Sequence, residues 1–212
     1  SVSNSLIGSS DDDQVGLYAA ALTNGNYVVQ SSTWDNGSVI DAGAATFGNG
    51  ITGVSGTVSS NNSLVGSSDG DGVYLSVTAL TNGNYVVTSP WWDNGWAIDA
   101  GAATFGNGTT GVTGLISSSN SLVGSTYHDY VGEDAFALTN GNYVISSSYW
   151  SNGSIVSAGA VTFGSGTTGI TGTISESNSL VGSSNYDFVG GDIGFGYGYV
   201  TVLTNGNYVV GS

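Results

Sequence analysis

The string Leu-Thr-Asn-Gly-Asn-Tyr-Val-Val stands at 22–29, 80–87 and 203–210, and again at 138–145 with Ile145 closing it. No other feature limits the fold as strongly. An Asn-Gly pair between alternating apolar residues is the strongest short-range hairpin signal, because a type I′ turn needs positive φ at both central residues. Asn24-Gly25, Asn82-Gly83, Asn140-Gly141 and Asn205-Gly206 provide that pair in every copy. The first three copies are 58 residues apart and the last is displaced by 65, so seven residues are inserted before it. The chain is a tandem array.

Laid over one another, the copies divide residues 1–212 into one repeat domain of about three and a half units: 4–61, 62–119, 120–177 and an incomplete 178–212. The incomplete unit carries its insertion near 190–200, a Gly-aromatic run from Gly190 to Val200. Each unit opens on Asn-Ser-Leu and passes an acidic loop to a strand over Val15–Leu22, whose partner is Tyr27–Trp34 across the Asn24-Gly25 turn. Turns at Asp35-Asn36-Gly37 and Gly48-Asn49-Gly50 then predict strands over Ser38–Phe47 and Thr52–Ser59, with Val54 and Val58 toward the core. The expected fold class is all-β: antiparallel four-stranded 58-residue repeats, β-propeller-like, or alternatively an open β-stack or solenoid array. Pro90 is the only proline and no helix of ten residues is credible.

Charge decides which partners can be considered. There are no Lys or Arg residues against 15 Asp and Glu, a formal charge of −15. That excludes nucleic acid as a partner and argues against anionic membrane surfaces. No apolar run is long enough for a membrane span, so no membrane insertion is expected. Cys and Met are both absent, which suits an exposed, secreted protein with no sulfur to oxidise. The chain starts at Ser1 and reads as a processed product or a piece of a longer array.

The run Val15-Gly16…Ala21-Leu22…Asn24-Gly25-Asn26-Tyr27-Val28-Val29…Trp34-Asp35-Asn36-Gly37…Asp41-Ala42-Gly43-Ala44 resembles an FG-GAP-type β-propeller blade. It also resembles the tandem repeats of large secreted bacterial surface proteins of the filamentous-haemagglutinin type. The likeness covers nearly the whole chain. It departs at the "GAP" turn, where Gln30-Ser31-Ser32, Thr88-Ser89-Pro90 and Ser146-Ser147-Ser148 lack the Gly-Ala pair. Three and a half blades also fall short of the usual four to eight of a ring. The resemblance implies a secreted adhesive or structural repeat protein, and it implies no catalytic residue.

Three sets of residues carry candidate chemistry. Asp13, Asp71, Asp129 and Asp187 hold one place in all four units, each two residues before a Val. Their retention is explained by an Asx-turn, each carboxylate accepting the N–H two residues on, or by calcium, because Asp11 with Asp13 and Asp69 with Asp71 cluster oxygen ligands. Asp35 and Asp41 match Asp93 and Asp99, whereas the third unit has Ser151 and Ser157 at both places. Joint loss suggests joint work around a metal, or two independent surface changes. Trp34, Trp92 and Trp150 recur before the second turn, as ligand-binding platforms for sugar or as packed residues at an interface between sheets or subunits.

His128 is the only histidine, so a repeated His-assisted centre is excluded and no enzyme is expected. The reading of function is an extracellular, cell-surface structural or adhesive protein that self-assembles, as a homo-oligomer or filament, into a fibre or surface layer. The alternative is a multivalent carbohydrate-binding module with a glycan partner and one weak site per repeat.

Overall fold

The computed structural model describes residues 3–191 and 200–211, and all of its regular structure is strand. The first unit contains β1 (Leu6–Ile7), β2 (Tyr18–Ala21), β3 (Tyr27–Ser31), β4 (Ala44–Gly48) and β5 (Gly56–Thr57). The second repeats the pattern as β6 (Ser63–Val65), β7 (Ser76–Ala79), β8 (Tyr85–Ser89), β9 (Ala102–Gly106) and β10 (Gly114–Leu115). The third contains β11 (Ser121–Val123), β12 (Asp134–Ala137), β13 (Tyr143–Ser147), β14 (Ala160–Gly164) and β15 (Gly172–Thr173). Then follow β16 (Ser179–Val181), β17 (Val200–Val202) and β18 (Tyr208–Val210). Of the Gly-aromatic insertion, residues 192–199 lie outside the described residues.

Sheets do not coincide with units. One five-stranded sheet runs β10-β6-β4-β3-β2 and the next β15-β11-β9-β8-β7, so each takes its last two strands from the following unit. The expected antiparallel four-stranded unit is thereby corrected to a mixed sheet. β2, β3, β4 and β6 are antiparallel, but β10 joins β6 in parallel, as β5 joins β1 and β15 joins β11. The predicted strand Thr52–Ser59 shrinks to Gly56–Thr57, because Gly53 and Gly56 take φ of 76° and 112° and break its run. The strand predicted from Ser38 begins only at Ala44. Residues ahead of it form a loop closed by Gly43 N–H on Trp34 O at 2.9 Å. Among the described residues the sheets form no closed propeller.

The Asn-Gly hairpin forms in all four copies with a different turn from the one predicted. Leu22 N–H donates to Asn26 O at 2.8 Å and Gly25 N–H to Leu22 O at 3.1 Å. Of the turn residues only Gly25 has positive φ, 88°. This is a three-residue loop with a type I turn and a glycine bulge. Asn24 stays out of the left-handed region; its Oδ1 accepts Asn26 N–H at 3.1 Å and its Nδ2 donates to Gly108 O in the next unit at 2.7 Å. Asn26 Nδ2 reaches the same carbonyl at 2.8 Å, and Thr23 Oγ1 reaches Leu80 O at 3.2 Å. The polar letters of the repeated string therefore fasten one unit to the next.

Its apolar letters do the same from inside. Val28 belongs to a core shared with Tyr85, Val87 and Trp92 of the second unit, while Val86 packs with Tyr143, Ile145 and Trp150 of the third. Successive side chains of a strand point to opposite faces, so an inner sheet has a neighbour on both sides. β8 and β13 are accordingly buried at every residue. β3 and β18, with cover on one side, are not.

Candidate functional site

The retained aspartates are backbone clamps. Asp129 is fully buried; its Oδ2 accepts Ser125 and Thr126 N–H at 2.9 and 2.8 Å, and its Oδ1 accepts Ser151 N–H at 3.1 Å. Asp13 does the same with Ser9, Ser10 and Asp35, and Asp71 with Ser67, Ser68 and Asp93. The Asx-turn geometry is corrected: the donors lie three and four residues earlier and 22 residues later, not two residues on. A carboxylate at this position thus joins the loop after β1, β6 or β11 to the turn that follows Trp34, Trp92 or Trp150. Asp187 holds two such bonds, from Ser183 and Ser184, and is only half-buried.

The second acidic pair is explained by the same economy of backbone donors. Asp35 Oδ1 accepts Asp41 N–H at 2.9 Å and Asp93 Oδ1 accepts Asp99 N–H at 2.8 Å; in the third unit Ser151 Oγ accepts Ser157 N–H at 3.3 Å. Asp41, Asp99 and Ser157 all sit at φ near +50°, a conformation that small polar residues tolerate. Ser151 keeps the cap that Asp35 and Asp93 make, and the second position contributes only its backbone N–H to it. Asp69 caps Ile40 N–H at 2.8 Å, and Asp11 is exposed. Among the described residues no three His, Asp or Glu side chains converge as a metal would require.

Trp34, Trp92 and Trp150 are 2%, 4% and 4% exposed and belong to three core clusters. Of the two roles predicted for them, packing between sheets fits this burial, and no ring face is left for a sugar to stack on.

The exposed aromatic residues are elsewhere. A cavity of about 610 Å³ opens between the second and third units, lined by Tyr74, Ser76, Pro90 and Trp91 on one side and Tyr130, Glu133, Asp134 and Tyr149 on the other. The edge strands β7 and β12 meet at its base, where Thr78 Oγ1 donates to Ala135 O at 3.4 Å. Tyr74 takes φ 61°, where the other units have Gly16, Gly132 and Gly190. A bulky residue in this region is strained, and such strain clusters at functional sites. Its ring lies 5.2 Å from that of Trp91. On the far side Tyr130 and Tyr149 meet edge-on at 5.8 Å.

Carboxylates border the rings. Glu133 Oε2 accepts from Ser148 N–H and from its hydroxyl, which fixes the Glu133 side chain at the rim. Burial, and then the neighbouring Glu133 charge, push the Asp134 carboxyl above its ordinary value. Burial also raises Asp99, against the His128 imidazole 3.2 Å from its Oδ2, and raises the Tyr130 phenol. The cavity thus offers aromatic faces and hydrogen-bond acceptors, in a chain with no Lys or Arg. The sequence draws attention to Trp91 only as an extra Trp. The 58-residue steps from Trp91 to Tyr149 and from Tyr130 to Phe188 are a signal that could have found two of the others, whereas Tyr74 stands where the other units have glycine.

The family profile described as "Repeat of unknown function (DUF5650)" matches residues 1–17, 21–74, 79–133 and 137–191. The last three matches start 58 residues apart, in step with the hairpins. No curated protein matches the chain.

Proposed function

The chain belongs to this family of tandem repeats, and on that premise we propose that it is an extracellular adhesive protein that holds glycan in the aromatic cavity between its second and third units. The observation that carries this reading is the convergence of Tyr74, Trp91, Tyr130 and Tyr149 around one opening edged by Glu133 and Asp134. Aromatic faces cover the C–H faces of a sugar ring, and carboxylates accept its hydroxyl protons. We read the cavity as a binding site. Glycoside hydrolysis sets two carboxyl groups across a bond, whereas Glu133 and Asp134 are consecutive residues and Glu133 is held by Ser148. Secretion, a propeller-like arrangement of the units and kinship with haemagglutinin-type surface repeats belong to the same proposal, supported by the resemblance and by a composition without Cys or Met.

The test is retention on insoluble neutral polysaccharides such as cellulose, mannan and chitin. Binding lost in Trp91→Ala/Tyr149→Ala with the fold intact by circular dichroism supports the reading. Equal retention of that variant sinks it.

A second reading, self-assembly, has its own observation. Leu64 and Leu122 are fully buried beneath the next sheet, whereas Leu180 at the same place is 56% exposed, with Phe163 of the paired strand β14 at 44%. That sheet face accepts a further repeat, in the same chain or from another copy. Light scattering decides this: a mass that rises with concentration and falls in Leu180→Lys supports assembly, and a constant monomer mass removes it.

A further inference from the structure

We infer that the ligand is a linear, uncharged polysaccharide lying along the array across three consecutive units, an inference that rests on the glycan reading above. The aromatic rings do not stop at the cavity. Tyr149 also meets Phe188 of the fourth unit edge-on at 5.5 Å, and Phe188 faces Tyr186 at 6.0 Å. The rings therefore run from Tyr74 and Trp91, across the cavity, to Tyr130 and Tyr149 and on to Phe188 and Tyr186.

Their placement follows the repeat. Trp91 and Tyr149 are 58 residues apart, as are Tyr130 and Phe188, so these two loop positions each carry a ring in consecutive units. Tyr74 and Tyr186 complete the row from other loop positions, where the third unit has Gly132 and His128. The first unit has Gln14 and Thr33 at the two repeated positions, and the strip begins with the second. Trp91, Tyr149 and Tyr186 are 39%, 45% and 63% exposed, and so have faces to offer. A row of rings that passes from one unit to the next is matched by an extended guest. A compact guest would fill the cavity and leave Phe188 and Tyr186 unused.

Charge narrows the class. Asp99, Glu133 and Asp134 lie beside the strip, and the chain has no Lys or Arg to pair with a carboxylate or sulfate on the guest. An acidic polymer would set like charges together without counter-ions, which opposes binding. Hydroxyls of an uncharged polymer meet the same carboxylates as donors. Each further unit engaged adds to the attraction without a new cost of association, so affinity should climb with chain length.

Titration calorimetry of the whole chain with linear gluco-, manno- and xylo-oligosaccharides of about two to eight sugars, and with polygalacturonate, tests this. The expected result is an affinity that rises at least about tenfold from the shortest to the longest member of one series. Trp91→Ala should weaken every member, while Tyr186→Ala and Phe188→Ala should weaken only the longer ones. The exposed Tyr186 keeps the test valid if Phe188→Ala fails to fold. Short and long oligomers binding alike, or Tyr186→Ala leaving the longest unaffected, would overturn the track and leave the glycan cavity standing. Polygalacturonate binding as tightly as the neutral polymers would overturn the charge argument. Failure of every oligomer would remove the glycan reading itself.

Discussion

At the scale of single residues, carboxylates do the work of structure. Asp129 satisfies three backbone donors from two loops inside the protein, and leaving such donors unpaired costs about 1–3 kcal/mol each before relaxation. Asp129→Ala should therefore lower the unfolding free energy by about 3 kcal/mol, and Asp187→Ala, half-buried with two bonds, by about 1 kcal/mol. Urea titration of both variants checks the order. Asp71 adds a dependence on pH. Burial pushes its carboxyl from 3.8 to about 6, against its three backbone donors. In that window the folded chain keeps a proton that the unfolded chain has lost, so stability falls as pH rises from about 4 to about 6 and levels off above. The raised Asp99 and Asp134 act with the same sign. Urea midpoints measured across this range should show the fall, and Asp71→Asn should flatten it.

At the scale of elements, the Phe-Gly ending of β4, β9 and β14 is a packing device. A Cβ on Gly106 would stand 2.1 Å from Cζ of the buried Tyr85 ring, and Gly48 and Gly164 face Tyr27 and Tyr143 in the same way. Gly106→Ala should cost about 2–3 kcal/mol by overpacking. Adding Tyr85→Leu should recover part of that loss, although Tyr85→Leu alone is destabilising; a double-mutant cycle in urea reads the coupling. Hydroxyl pairs complete the same strands: Thr46 with Ser63, Thr104 with Ser121 and Thr162 with Ser179, each at 2.6 Å. These explain why a strand otherwise bedded in apolar neighbours keeps a Thr at its centre.

At the scale of the whole molecule, units that exchange strands and share cores behave as a one-dimensional array. The inner strands β8 and β13 have cover on both faces, and among the described residues β17 and β18 pair only with each other. Amide exchange should accordingly be slowest in 85–89 and 143–147 and fastest in 200–211, with protection falling outward from the middle. Uniform protection would contradict the array. Much of this was legible in the sequence: the Asn-Gly hairpin, the 58-residue period and the all-β class follow from local turn chemistry and period-two alternation, which act within a few residues. The turn type was not: Leu22 pairs with Asn26 across three residues, and a type I turn closed by a glycine bulge leaves only Gly25 at positive φ. Nor was the parallel pairing of Gly56–Thr57 with Leu6–Ile7, which a Gly-broken run accepts only when a neighbour presents an edge. The repeating Trp residues advertised themselves and are buried, whereas the cavity is built from loop rings of which Trp91 with Tyr149, and Tyr130 with Phe188, recur in only two units and Tyr74 in none. Local preference determined the hairpins and their count. Contact between units, which joins residues far apart in the chain, alone decided which side chains are hidden and which face a ligand.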